Sequence, residues 1–256
     1  MKHTLYKGDC LEVMKDIKDK SVRMVACDLP YGETQNYWDH IIDMDKLWEE
    51  YDRIIVENGI IILTCSLKFA ITIINSKPKK YKYYDIVWNK ISTTGFLNAK
   101  RQPLRQHEFV LCFYKKQPLY KPIMEVRGKP RNKGSYNKKN GTGDMCYGKF
   151  ENVSSFNNEY YPTSVLNISN ANQKDKLHPT QKPVALLEYL INTYSNENDL
   201  ILDNCMGSNS TGIACMNTNR NYIGIEKDDT YFDLAIDRTK KHIEDNNIEC
   251  ELEIIK

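Results

Sequence analysis

The tetrapeptide Asp28-Leu29-Pro30-Tyr31 puts a carboxylate, a backbone carbonyl held extended by the following proline, and an aromatic ring within four positions. Those groups suit one kind of chemistry. The exocyclic amine of a nucleobase is a poor nucleophile, because its lone pair is delocalised into the ring. To react it must be unstacked and its nitrogen lone pair directed at an electrophile. The Asp28 carboxylate and the Leu29 carbonyl can both accept from the amine hydrogens, while Tyr31 offers a face for an extruded base. The same four residues also read as an ordinary strand-ending turn, since Asp and Pro are common there.

A second constellation runs from Asp203 to Gly212 (DNCMGSNSTG), where small residues let backbone approach a nucleotide-like ligand closely. Glu226 follows 19 positions after Gly207, the spacing at which an acid binds ribose hydroxyls in doubly wound folds. Neither GxGxxG nor GxxxxGK[ST] occurs, and no Lys or Arg lies near this loop to hold phosphate. A nucleoside without phosphates is the ligand this favours, against the alternative of a tight strand-to-helix turn that binds nothing.

The elements needed to position these loops can be read from periodicity. Val22 to Cys27 predicts a strand that delivers Asp28 to its carboxyl end. Met44 to Glu57 carries apolar residues at helical spacing, with Leu47, Trp48, Tyr51, Ile54 and Ile55 as the buried face and Asn58-Gly59 as the stop. Ile60 to Cys65, Tyr84 to Trp88 and Glu108 to Tyr114 predict further strands. A helix is expected from about Pro183 to Tyr194, then strand Leu200 to Asp203, helix Thr211 to Asn217, strand Tyr222 to Glu226, and a last helix from about Asp229 to His242. Such alternation argues for a mostly parallel sheet with helices on both faces and ligands at the carboxyl ends of its strands. From Lys115 to about Lys176 the periodicity disappears, which predicts a loop-rich insertion.

The 256 residues carry a net charge of only +2, but Lys77 to Lys149 alone holds 18 basic residues against four acids, a block of +14 that leaves −12 elsewhere. Interleaved with Tyr and Trp, this block suits a polyanion with stackable bases. Lys100, Arg101, Arg105, Arg127, Lys129, Arg131, Lys133, Lys138 and Lys139 are the expected phosphate contacts. The eight cysteines include no CxxC pair and are expected to be reduced structural thiols, with no metal site. No apolar run approaches the roughly 20 residues that span a bilayer, and the start MKHTLYKGDC lacks a signal-peptide core. The expectation is a soluble, cytoplasmic protein without membrane contact.

In this order, with His178-Pro179-Thr180-Gln181-Lys182-Pro183 just before the second constellation, the motifs resemble those of the beta class of DNA amino-methyltransferases. There a DPPY-type loop comes first, a target-recognition region comes next, and an HPTQKP-like segment leads into a DPFMGSGTT-like cofactor loop. The resemblance covers about Tyr6 to Lys115 and Lys176 to His242. It implies a Rossmann-like α/β methyltransferase fold with a mostly parallel seven-stranded sheet and circularly permuted motif order. The catalytic domain would span 1–114 and 176–256, and 115–175 would be the target-recognition insertion.

The resemblance further implies S-adenosylmethionine as cofactor and double-stranded DNA as partner. It assigns the catalytic loop to Asp28, Leu29, Pro30 and Tyr31. Cofactor contacts are implied at Asp9, Cys10, Asp28, His178, Thr180, Lys182, Asp203, Met206, Gly207, Ser208, Asn209, Thr211, Glu226 and Lys227, with Lys182 facing the carboxylate of the methionine end. Leu29 replaces the first Pro of the family motif, and Asn204, Cys205 and Asn209 replace Pro, Phe and Gly. Asn209 is the substitution best able to keep a positive φ. Asp at position 28 resembles the adenine-N6 enzymes, whereas cytosine-N4 enzymes more often carry Ser. Cytosine-N4 transfer, a protein or RNA methyltransferase, and a catalytically silent DNA-binding module are the competing readings. A homodimer and an accompanying restriction endonuclease are left open by the sequence.

Overall fold

The computed structural model describes residues 1–36, 39–133, 155–170 and 181–256. They divide into two compact units, one comprising 1–121 and 164–256, the other 122–163.

The larger unit is built on a nine-stranded sheet, and the smaller holds the pair β6 (Glu125–Lys133) and β7 (Ser155–Tyr160). The strands of the large sheet are β1 (Lys2–Lys7), β2 (Val22–Cys27), β3 (Ile55–Cys65), β4 (Lys82–Thr94), β5 (Arg105–Tyr114), β8 (Val165–Asn167), β9 (Leu200–Asp203), β10 (Asn221–Glu226) and β11 (Glu251–Ile255). Their spatial order is β11-β1-β10-β9-β2-β3-β5-β4-β8. The pairings make β5 antiparallel to both neighbours and every other adjacent pair parallel. The seven strands expected are therefore extended by one short strand at each edge, β11 and β8. β8 spans only three residues, too few to show a period, whereas β11 (ELEII) does alternate but lies beyond the last element read from the sequence.

Alternation along β2 sends successive side chains to opposite faces. Met24 and Ala26 enter a core shared with α4 (Val184–Tyr194), α5 (Ser210–Asn217) and α6 (Asp229–Asn246). Val25 and Cys27 enter a second core shared with α1 (Cys10–Val13), α2 (Met44–Ile54) and α3 (Leu67–Ser76). Two covered faces explain why runs such as Ile60 to Leu63 are continuously apolar.

One boundary departs from expectation. Helix α2 ends at Ile54 rather than Glu57, and Ile55 already pairs with Val22 as part of β3. Asn58-Gly59 lies inside the strand, where residues 56–59 bulge opposite the single residue 23. The β-branched run Ile54-Ile55-Val56 favours strand over another helical turn. At Gly59 a Cβ would lie 2.8 Å from the Arg23 carbonyl oxygen, so the bulge needs glycine.

The segment expected to be loop-rich also contains strands. In the smaller unit β6 and β7 form an antiparallel pair whose residues are mostly polar and none of them buried, so no apolar periodicity betrays it. Among the described residues no helix is long and apolar enough to cross a membrane.

Candidate active site

Because β1, β2, β9 and β10 run parallel, the loops at their carboxyl ends meet along one sheet edge. They line a cleft of about 1090 Å3. Asp9, Cys10, Asp28, Leu29, Pro30, Tyr31, Lys182, Asp203, Met206, Gly207, Ser208, Thr211, Glu226 and Lys227, all singled out in the sequence, border it. His178 and Thr180, and Lys138 and Lys139, lie outside the described residues.

Asp28 comes directly after the last residue of β2 and is held from three sides. The Thr64 hydroxyl donates to Oδ1 at 2.5 Å and the Tyr31 hydroxyl to the same oxygen at 2.6 Å. Lys182 Nζ donates to Oδ2 at 2.5 Å and also lies 3.4 Å from Glu108 Oε2. Glu108 in turn accepts from Lys90 Nζ at 3.0 Å. Burial opposes charge on Lys182, but the Asp28 and Glu108 carboxylates outweigh it and raise its pKa. Burial would likewise raise Glu108, yet Lys182 and Lys90 hold its carboxyl below the usual range. Lys182 and Glu108 are thus both charged at neutral pH despite their burial. The Tyr31 ring stacks on Phe69 at a 5.1 Å centroid distance, which fixes its orientation beside Asp28.

The loop after Tyr31 is pinned by Asp39, whose carboxylate accepts from the backbone N–H groups of Gly32, Glu33 and Thr34 at 2.8, 3.0 and 2.6 Å. Gly32 sits at φ +65°, a conformation that favours glycine.

On the other side of the cleft, Asp203 organises its own loop. It accepts from Cys205 N at 3.1 Å and from the Thr211 hydroxyl at 2.5 Å, and burial pushes its pKa up to about 6. Asn209 adopts φ +62° as the N-cap of α5. It does not border the cleft. Its side chain is fully buried, donates to the Thr239 hydroxyl at 2.7 Å, and fills the space that a Cβ on Gly212 would occupy. Asn209 therefore shapes the loop from beneath rather than touching a ligand.

Glu226 ends β10 and accepts from Gly207 N at 2.9 Å and Asp228 N at 2.8 Å, one on each oxygen. Each oxygen keeps a lone pair for the cleft. Burial raises its pKa despite these donors. Asp9 caps α1 through Leu11 N at 3.0 Å and accepts from Lys227 Nζ at 3.0 Å; burial works against its charge, but these partners keep its pKa below the usual range.

The expected phosphate contacts fall in two places. Lys100 and Arg101 lie between β4 and β5, and Arg105 opens β5, all three exposed. Arg127, Lys129 and Arg131 are exposed along β6, and Arg127, Arg131 and Lys133 gather over the Tyr160 ring, with Lys133 Nζ 3.7 Å from its centroid. The seven cysteines among the described residues are free. Cys10 and Cys205 touch at the cleft, and burial pushes neighbouring Cys27 up to about 12, so it stays a thiol.

Thr64, Glu108 and Lys90 were not singled out in the sequence as site residues. Thr64 stands near the carboxyl end of β3, a position the strand assignment alone makes a candidate. Glu108 reaches the cleft because β5 runs antiparallel, which brings its first residues to the ligand edge.

Among the described residues, ten carboxylates line the cleft against three lysines, Lys90, Lys182 and Lys227. Such a wall repels phosphates and attracts a cation. A ligand with ribose hydroxyls and a positive centre fits it.

Comparison with known proteins agrees with this geometry. The DNA methylase family N6_N4_Mtase matches residues 22–237. The chain is 27% identical to the type II methyltransferase M.HinfI of Haemophilus influenzae, over 93% of this chain and 68% of that protein. It is 24% identical to the orphan methyltransferase M.BamHII of Bacillus amyloliquefaciens, over 90% and 92% of the two chains. Among solved structures, the M1.HpyAVI–SAM complex aligns with a TM-score of 0.61 and 25% identity over 93% of this chain and 99% of that one. The cytosine-N4-specific PvuII DNA methyltransferase aligns with a TM-score of 0.65 at 15% identity over 99% and 95%, a likeness of fold alone.

Proposed function

The chain belongs to the DNA methylase family of N6-adenine and N4-cytosine amino-methyltransferases, and from that premise we propose that it methylates N6 of adenine in double-stranded DNA. The observation that carries the adenine reading is the Asp28 carboxylate, pinned at the carboxyl end of β2 in the same cleft as Glu226. When bound, S-adenosylmethionine supplies an electrophilic methyl group on a sulfonium centre.

Glu226, with its remaining lone pairs, is the acceptor for ribose hydroxyls, and the Gly207 backbone leaves room for the nucleoside. The surrounding carboxylates favour the sulfonium charge. Asp28 accepts an N–H of the target amine through its fourth lone-pair site, since Thr64, Tyr31 and Lys182 occupy three of about four on a carboxylate. With the Leu29 carbonyl taking the second N–H, the nitrogen lone pair is left directed into the cleft. Tyr31, braced by Phe69, presents the stacking surface for the extruded base. Lys182 serves Asp28 rather than the cofactor's carboxylate in this reading, because two carboxylates already claim its ammonium.

The smaller unit, 122–163, serves target recognition, supported by its exposed row Arg127, Lys129 and Arg131. Those side chains suit phosphate contacts that fix register on the duplex.

Mass spectrometry of nucleosides released from DNA treated with the protein and S-adenosylmethionine tests the reading. N6-methyladenine is expected. N4-methylcytosine would overturn the adenine assignment and leave the family intact.

A further inference from the structure

An apolar tip stands at the rim of the cleft, and nothing in the chemistry so far uses it. Strands β4 and β5 form a hairpin whose regular pairing stops at Asn89 and His107 and resumes only at Thr94 and Arg105. Residues 90–93 thus bulge opposite the single residue 106. Ile91 in this bulge sits at φ +65°, which a β-branched residue adopts only under strain. Bulges of this kind re-aim the chain beyond them and cluster beside active sites.

Beyond the bulge lies a turn closed by its own hydrogen bonds. Gly95 at φ +84° starts a short 3-10 helix, Phe96–Asn98. Its backbone bonds to itself: Asn98 N to Gly95 O at 2.9 Å, Ala99 N to Phe96 O at 3.1 Å, and Arg101 N to Asn98 O at 2.8 Å. The Thr94 hydroxyl donates to Arg105 O at 3.3 Å across the neck. On this preformed tip Phe96 is 78% and Leu97 83% exposed. Two large adjacent apolar side chains, held out by ordered backbone, cost solvation and call for a partner.

Position and charge identify that partner. Because β4 is parallel to β8 and antiparallel to β5, its carboxyl end lies on the same sheet edge as that of β2. Thr94, Lys90 and Glu108, at the base of the hairpin, line the cleft that holds Asp28. The hairpin base thus puts the tip on one side of the opening through which a base reaches Asp28. From Ile91 to His107 the sequence has Lys100, Arg101 and Arg105 and no carboxylate. Apolar tips flanked by cations match a stack of bases flanked by phosphates.

We propose that Phe96 and Leu97 form a wedge that enters the DNA base stack at the target and fills the gap left by the extruded base. Extrusion costs stacking and pairing energy, least at a site already unpaired. An inserted apolar side chain restores part of the lost stacking and slows the base's return. The proposal rests on the DNA-methylation reading and adds to it the residues that hold the duplex open.

The test is single-turnover methyl transfer by Phe96→Ala/Leu97→Ala on two duplexes carrying the wild-type enzyme's methylated sequence. One is fully paired; the other has an abasic site opposite the target base. The alanine variant should lose at least about tenfold on the paired duplex and less than about threefold on the pre-opened one, with cofactor affinity unchanged. Phe96→Leu/Leu97→Met, which keeps the apolar volume, should stay near wild type on both. Equal losses on the two duplexes, or no loss, would overturn the wedge. A variant that also sediments lighter than wild type while losing equally on both would assign the tip to a second copy of the chain instead. Wild-type protein inactive on both duplexes would remove the methylation reading itself, an outcome distinct from failure of the wedge.

Discussion

Lys182 Nζ and Asp28 Oδ2 lie 2.5 Å apart, with only 10% of the lysine side chain exposed. The ammonium is shared with Glu108, which Lys90 also holds, so two carboxylates and two lysines form one connected ion-pair chain in the wall of the cleft. Removing Lys182 alone would leave two partly buried carboxylates facing each other. Lys182→Met should therefore cost about 3 kcal/mol of folding stability. The double variant Lys182→Met/Asp28→Asn should cost less than the sum of the singles by at least about 1 kcal/mol in urea unfolding. Additive losses would mean the pair is not coupled.

Glu226 should govern cofactor affinity. Glu226→Ala is expected to weaken S-adenosylmethionine binding by about 1.5 to 3 kcal/mol in calorimetry, the size of lost hydrogen bonds to a charged acceptor. Because burial raises the Glu226 pKa, wild-type affinity should begin to fall at a higher pH on acidification than an ordinary glutamate would give. Unchanged affinity in the alanine variant would sink the ribose assignment.

The smaller unit's basic row should set the electrostatics of DNA binding. Lys129→Gln/Arg131→Gln should flatten the dependence of log affinity on log salt by up to about two units, near one for each phosphate no longer neutralised. An unchanged slope would place both side chains away from DNA.

His3 provides a pH test of the fold. It is fully buried on β1, bonded through Nε2 to Arg220 O at 3.0 Å, and burial lowers its pKa from 6.5 to about 4. As pH falls below 6.5 the unfolded chain takes up this proton and the folded one does not, so stability is lost down to about pH 4. Over that interval the loss amounts to about 3 kcal/mol. Asp203, raised to about 6, works the other way between its ordinary value and pH 6. His3→Gln should be penalised at pH 7.5 but recover by about 2.5 kcal/mol relative to wild type at pH 4.5. An equal penalty at both values would contradict the buried neutral imidazole.

Much of this was legible in the sequence where local pattern and local chemistry coincide. Strand β2, the turn at Asp28 and the helix α5 with Asn209 at positive φ are set by residue type and spacing within a few positions. The features that were not legible depend on strand direction or on distant pairing. Glu108 enters the cleft because β5 is antiparallel, and Lys182 meets Asp28 across 154 residues. The β6–β7 pair escaped because it buries no apolar face and its few apolar residues, such as Val126 and Phe156, are isolated and exposed, which leaves strand periodicity little to act on. The early end of α2 turned on a bulge in β3 at Asn58-Gly59, a pair that reads equally well as a helix stop.

The central claim is that the Asp28 carboxylate directs the target amine. Single-turnover methyl transfer by folded Asp28→Ala, on a duplex with 2-aminopurine at the target to report base extrusion, tests it most directly. The account predicts that S-adenosylmethionine and DNA still bind and the base still leaves the stack, while the transfer rate falls at least about a hundredfold, or roughly 2.7 kcal/mol of barrier. Near-normal transfer by that variant would contradict it.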